Sequence, residues 1–204
     1  MTTAQLTPQA NQSPAVVSGG NELSGSQWVA RFPGSNSTSA LTPEFSQSVD
    51  RFIEAMRDAG ATITVSATYR PPQRAYLMHW SWKIAHGTPP SAVPTMDGVN
   101  IEWVHPTLEA SVRAARDMVN AYGMQNLQIA AALVSRHTQR KAIDMTIGWS
   151  GSLAIRNASD ELITISSTPR TGMNATLKQV GQSYGVIKFV GGASDKPHWS
   201  TDGH

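Results

Sequence analysis

Residues 135–149 read SRHTQRKAIDMTIGW. From Ala142 onward the run alternates, the period-2 signature of a strand with one covered face. Alternation sends Ile143, Met145 and Ile147 to one side, and Ala142, Asp144 and Thr146 to the other. A carboxylate in the middle of such a strand needs solvent, a partner or a metal ion. His137 stands seven residues before Asp144.

Working outward, Thr42, Pro43 and Glu44 form a helix start, and Phe45, Val49, Phe52, Ile53 and Met56 share a helical stripe. Gly60 ends that helix. ATITVSATY predicts a strand at about 61–68. Pro71 and Pro72 open a helix over roughly 71–86, closed by Gly87. Residues 87–106 contain four prolines, Pro106 included, and read as an inserted loop, a lid over a site. A further amphipathic helix is expected at about 107–122. NLQIAAALV (126–134) fits a strand or a short helix. Strands are expected at AIDMTIG, ELITISS, VIKFVG and PHWS, with a helix at 174–184. Helices first and mainly strands afterwards predict an α+β domain with an antiparallel sheet packed against helices, not a doubly wound βαβ fold.

Composition narrows the function. The 204 residues suit one domain plus a tail. Thirty of the first 40 are Ala, Gly, Ser, Thr, Asn, Gln or Pro, so 1–40 is expected to be a flexible tail and 41–204 the domain. Disorder is expected over about 1–20, and Trp28 and Phe32 are the residues of the tail able to dock. The absence of cysteine excludes disulfides, zinc–thiolate sites, iron–sulfur clusters and a cysteine nucleophile. A net charge of +2 supplies no basic face for nucleic acid. No stretch approaches the roughly 18 apolar residues of a membrane helix. MTTAQLTPQANQSP has neither the charged nor the apolar region of a standard signal peptide, so delivery by another route is expected.

A second polar cluster, Asp195, His198 and Trp199, lies in SDKPHWS, where Pro197 stiffens the chain before the imidazole. Taken alone, this reads first as a surface turn with a stray histidine. Together the two clusters supply two imidazoles and two carboxylates, enough for a His-His-Asp zinc site with one carboxylate free for acid–base work.

The ordered set resembles the zinc D-Ala-D-Ala peptidase superfamily (peptidase family M15). Its pattern is Tyr-Arg after an early strand, then Ser-x-His-x-x-Gly-x-Ala-x-Asp, then Glu or Asp-x-x-His-Trp. Here these are Tyr69-Arg70, then Ser135, His137, Ala142 and Asp144, then Asp195, His198 and Trp199. The resemblance spans about residues 43–200 and implies a hedgehog/D,D-peptidase-like fold. It also implies Zn²⁺ on His137, Asp144 and His198, Asp195 as proton carrier, and Arg70 at the scissile carbonyl. Tyr69, Ser135, Arg140 and Trp199 become candidate substrate-binding residues. The implied partners are peptidoglycan stem peptides, reached at the cell wall or periplasm through phage or secretion machinery, with cleavage inside the stem or cross-link. D,D-carboxypeptidase action and a non-catalytic wall-binding module of the same fold are the alternatives.

Two departures stand out. The family glycine is Arg140, which predicts a changed turn between the ligands and a more basic mouth, with Arg136 and Lys141 adding charge. The acid is Asp195 rather than Glu, as in the endolysin-like branch. Glu102-Trp-Val-His105 mimics the last motif but precedes His137, and reads as structural or lid. His79 and His86 read as packing or cleft-wall residues. Trp80, Trp82, Trp103 and Trp199 are grouped as a candidate cleft wall. A serine hydrolase is disfavoured by the lack of a Gly-x-Ser-x-Gly elbow.

Overall fold

The structure is a computed structural model that describes residues 20–204. The elements run β1 (Glu22–Leu23), α1 (Pro43–Asp58), β2 (Thr62–Ala67), α2 (Pro72–Ala85), β3 (Ile101–Glu102), α3 (Leu108–Ala121), β4 (Ala142–Gly148), β5 (Leu153–Arg156), β6 (Leu162–Ile165), α4 (Ala175–Ser183), β7 (Ile187–Lys188) and β8 (His198–Ser200). Four strands pair antiparallel in the order β2-β4-β8-β7, and β5 and β6 form a separate antiparallel pair. This is the expected mixture of helices and antiparallel sheet.

The alternation in β4 decides which face of the sheet is covered. Ile143, Met145 and Ile147 are buried, and the stripe of α1 that was read from the sequence, including Phe52 and Met56, closes over them. Leu153, Ile155 and Ile165 of the second sheet and Leu177 and Val180 of α4 complete this core. Asp144 is on the opposite face of β4, as expected.

A second core forms between α2, α3, the segment expected to be a tail, whose Trp28 and Phe32 do dock, and the segment expected to be an inserted loop. Trp28 is 2% exposed and packs with Tyr76, Leu77, Ile101, Trp103 and Met118. β1 pairs parallel with β3, and the Ser24 hydroxyl meets His105 Nε2 at 2.9 Å. Further along, the Arg74 guanidinium donates to the Val29 carbonyl, and the Thr68 hydroxyl to the carbonyls of Ser35 and Ser37.

The expected tail is therefore corrected for residues 20–40. One buried indole and a series of main-chain hydrogen bonds outweigh the polar composition. The expected disorder of 1–20 falls, Gly20 apart, outside the described residues. The 87–106 insertion is corrected in the same way. Val99, Ile101 and Trp103 are buried in the second core, so this segment is part of the body and not a lid. Residues 126–134 form neither strand nor helix but an irregular, bent segment.

Trp28→Ala should lower the unfolding free energy by about 3–5 kcal/mol, the usual cost of emptying a buried aromatic site. Deleting residues 1–40 should cost at least as much. Denaturant titration of the three proteins checks both, and coincident midpoints would contradict them.

Candidate metal centre

The site is built where three pieces of chain meet on the polar face of the four-stranded sheet. Strand pairing supplies two of them. In the β4–β8 register Asp144 lies directly opposite His198, and Ile143 opposite Trp199. Side chains opposite one another share a face, so one pair points to the site and the next to the core. The third piece is the turn 135–140, which carries His137 to the end of β2. The His137 Nδ1–H donates to the Thr68 carbonyl at 2.9 Å, and the Arg70 N–H donates to the His137 carbonyl at 3.2 Å. A bulge at Ser66 offsets the end of β2 relative to β4 just before these contacts.

His137 Nε2, Asp144 Oδ1 and His198 Nδ1 form a triangle with all three sides 3.2 Å. The tautomers follow from the outer ring atoms. His137 Nδ1 faces the Thr68 carbonyl, and His198 Nε2 faces the His204 carbonyl at 3.1 Å. Carbonyls only accept, so each of these nitrogens carries the proton. Two imidazole lone pairs and a carboxylate oxygen are then aimed at one point. That arrangement is repulsive without a cation at its centre. A tetrahedral ion bound at about 2.0–2.1 Å holds its donors roughly 3.3–3.4 Å apart. The triangle fits, and the two carbonyl acceptors are the outer partners that orient ligating histidines. His137 and His198 are only 4% and 6% exposed. The group His137, Asp144 and His198 is thus suited to hold a metal ion.

Electrostatics agree. Burial pushes the Asp144 carboxyl up, but the His137 and His198 rings beside it, when they are protonated, outweigh this and hold the group well below the usual carboxylate range. Burial pushes His198 down, and Asp144 more than reverses this, so its imidazole attracts positive charge more than a free one. A proton and a metal ion compete for the same lone pair.

Asp195 ends a short 3₁₀ turn, Gly192–Asp195, with its Oδ2 3.9 Å from His198 Nδ1. It stands beside the triangle without belonging to it. Burial and the Asp144 charge push its pKa up, more than His198 and Lys188 draw it down. A carboxylate so placed is a better proton acceptor than an ordinary aspartate. Arg70 lines a cleft with His137 and makes no side-chain hydrogen bond or ion pair among the described residues. Burial pushes its guanidinium down, while Asp144 and Asp195 support the charge.

Two clefts flank the triangle. One is lined by Val134, Ser135, Gln139, Phe189, Asp195 and His198. The other is lined by Asn36, Tyr69, Arg70, Arg74, Met78 and His137. Ser135 and Tyr69 therefore border the site. Arg140 stacks its guanidinium 4.5 Å from the Tyr69 ring centroid. Its φ is +60°, in the left-handed region that glycine adopts most easily. Arg140, standing where the pattern has glycine, thus adopts a glycine-type conformation. Arg136 is ion-paired with Asp202, so less of the expected basic mouth remains free.

Trp199 is corrected as a substrate-binding residue. It is wholly buried, edge-on to Phe52, because it alternates with His198 along β8. The four-tryptophan wall does not form either, since Trp103 belongs to the second core and Trp199 to the first. His105 bonds Ser24 and Glu102 lies in β3, which makes that pair structural. His79 bonds the Ala131 carbonyl, and His86 stacks on Trp82. The Thr68 and His204 carbonyls were missed, because a main-chain acceptor leaves no side-chain signal.

Scanned against protein-family models the chain matches none, and a search of curated proteins finds no match.

The wild-type protein should bind one equivalent of a divalent metal. His137→Ala and His198→Ala should lose it, and Asp195→Asn should keep it. Metal analysis after gel filtration reads all four, and full retention in either histidine variant removes that residue from the ligand set.

Proposed function

We propose that this protein is a zinc-dependent peptidase of the D-Ala-D-Ala (M15) type, with the hedgehog/D,D-peptidase-like fold, and that it hydrolyses a peptide bond within peptidoglycan stems or cross-links. The observation that carries the reading is the arrangement of unlike groups around one triangle of donors. Three lone pairs converge, a carboxylate of raised pKa stands 3.9 Å from one ligand, and Arg70, with no side-chain partner among the described residues, lines a cleft with His137. Such a set is what amide hydrolysis requires: a Lewis acid site, a proton carrier and a cation for developing charge. The resemblance through Tyr69-Arg70, His137 to Asp144 and Asp195 to His198 selects the family and the substrate.

Zinc bound by His137, Asp144 and His198 supplies Lewis acidity that polarises water and carbonyl groups. Asp195 takes a proton from the attacking water and returns it to the leaving amine, a role its raised pKa favours. Arg70 holds the scissile carbonyl and stabilises negative charge as it develops on the oxygen. His137 and His198 keep their tautomers through the Thr68 and His204 carbonyls, so neither is free to carry protons in the reaction.

Asp195 in place of Glu, the form of the endolysin-like branch, favours endopeptidase action over removal of a terminal D-Ala. Among the described residues no helix is long and apolar enough to cross a membrane. The cell wall is the site of action, with delivery by phage or secretion machinery.

Muropeptides digested with zinc-loaded protein and analysed by mass spectrometry test the reading. New amino termini inside the stem are expected. Loss of terminal D-Ala alone would instead assign a D,D-carboxypeptidase, and no cleavage at all would leave a wall-binding module.

Two substitutions test the roles. Asp195→Asn should keep its zinc and lose about 10²-fold or more in kcat. Arg70→Ala should lower kcat by about 10²–10³-fold. A rise confined to KM would make Arg70 a ground-state binding residue.

A further inference from the structure

Lys188 stands where the strand pattern calls for an apolar side chain. It lies on β7, opposite Trp199 in the register with β8, and so shares the covered face of the sheet. It is only 6% exposed. Burying an ammonium is costly unless its donors are satisfied, and here they are. The Nζ donates to the carbonyl of Lys196 and, at 2.8 Å, to that of His198, and it lies 5.0 Å from the centre of the Trp199 ring.

Those two carbonyls flank a third. The Pro197 carbonyl accepts from the Met145 N–H at 2.9 Å, and His198 O also accepts from the Phe189 N–H at 3.2 Å. Three successive carbonyls are thus tied down immediately after Asp195. On the other side of Asp195 the chain runs through Gly191 and Gly192, the latter at φ +62°. That side is held by the Val190 N–H on the Gly203 carbonyl and by short-range bonds of the 3₁₀ turn, so the carbonyls that follow Asp195 are what tie it to β4 and β7. Of the three carbonyls, that of Lys196 has Lys188 as its hydrogen-bond donor and no main-chain partner among the described residues.

We propose that Lys188 is a positioning residue. Its ammonium pins the main chain from Lys196 to His198 and so sets where the Asp195 carboxylate stands relative to the metal-binding triangle. The effect on catalysis rests on Asp195 being the proton carrier proposed above. The pinning itself does not. A methionine at this position would fill the space and leave the Lys196 carbonyl without a donor.

The test uses the full chain with Lys188→Met, alone and combined with Asp195→Asn. Amide hydrogen exchange, followed without added metal, reads the pin. The Met145 and Phe189 amides should exchange about tenfold faster or more in Lys188→Met, while those of α1 keep their rates. Unchanged exchange at both amides overturns the proposal.

Zinc-loaded protein reads the consequence. Lys188→Met should keep one zinc and a KM within about twofold of wild type. Its kcat should fall by about 10–100-fold, as misplacement of a catalytic group does. In the Asp195→Asn background it should cause no further loss, since the lysine acts through that carboxylate. Equal losses in both backgrounds overturn the positioning role. If wild-type zinc protein cleaves no muropeptide, the peptidase reading falls, and the exchange measurement still decides the pin. Should Lys188→Met fail to fold, Lys188→Gln is read by the same measurements.

Discussion

The pairing of Asp144 with His198 across β4 and β8 is the constraint on which the rest of the molecule depends. It makes two ligands neighbours by strand register alone. It also commits the next pair, Ile143 and Trp199, to the core, because alternation leaves no other choice. A one-residue slip of β8 along β4 would turn His198 into the hydrophobic layer beneath α1 and lift Trp199 into the site. Core and site therefore protect each other's register. His137 joins only because the end of β2, displaced by the bulge at Ser66, presents the Thr68 carbonyl to its ring.

Much of this arrangement was legible in the sequence, for identifiable reasons. α1 and α3 were readable because their apolar residues recur at helical spacing, and β4 because Ile143, Met145 and Ile147 alternate. The candidate ligands stood out because a carboxylate in a strand and a proline-stiffened histidine are anomalies that ask for an explanation. Short elements escaped. β1 and β3 have two residues each, too few for any periodicity, and β5 was missed between better signals. Composition misled over residues 20–40, where small polar residues outnumber the one that matters, Trp28. Trp199 was misassigned because its motif neighbour His198 faces the site, and a motif written as adjacent letters hides the turn from one face to the other.

Arg140 illustrates how residue identity and backbone conformation come apart. A non-glycine residue in the left-handed region carries strain of about 1–2 kcal/mol, and the stacking of its guanidinium on Tyr69 offsets part of it. The turn keeps its shape because both of its ends are anchored. His137 is held by Thr68 and Arg70, and the Arg140 carbonyl accepts from the Thr42 N–H. The loop that presents His137 is thus tied to the start of α1 as well as to the end of β2.

The second core has a consequence for the order of events during synthesis. The Ser24 hydroxyl bonds a ring 81 positions further along the chain, and Trp28 is closed in by Ile101 and Met118. Residues around Trp28 leave the ribosome well before those partners do. A nascent chain must therefore hold an unsheltered indole until α3 has emerged, at a synthesis rate of about 5–20 residues per second. The segment made earliest among these partners is placed late, and the interval is a window in which a holdase would find it.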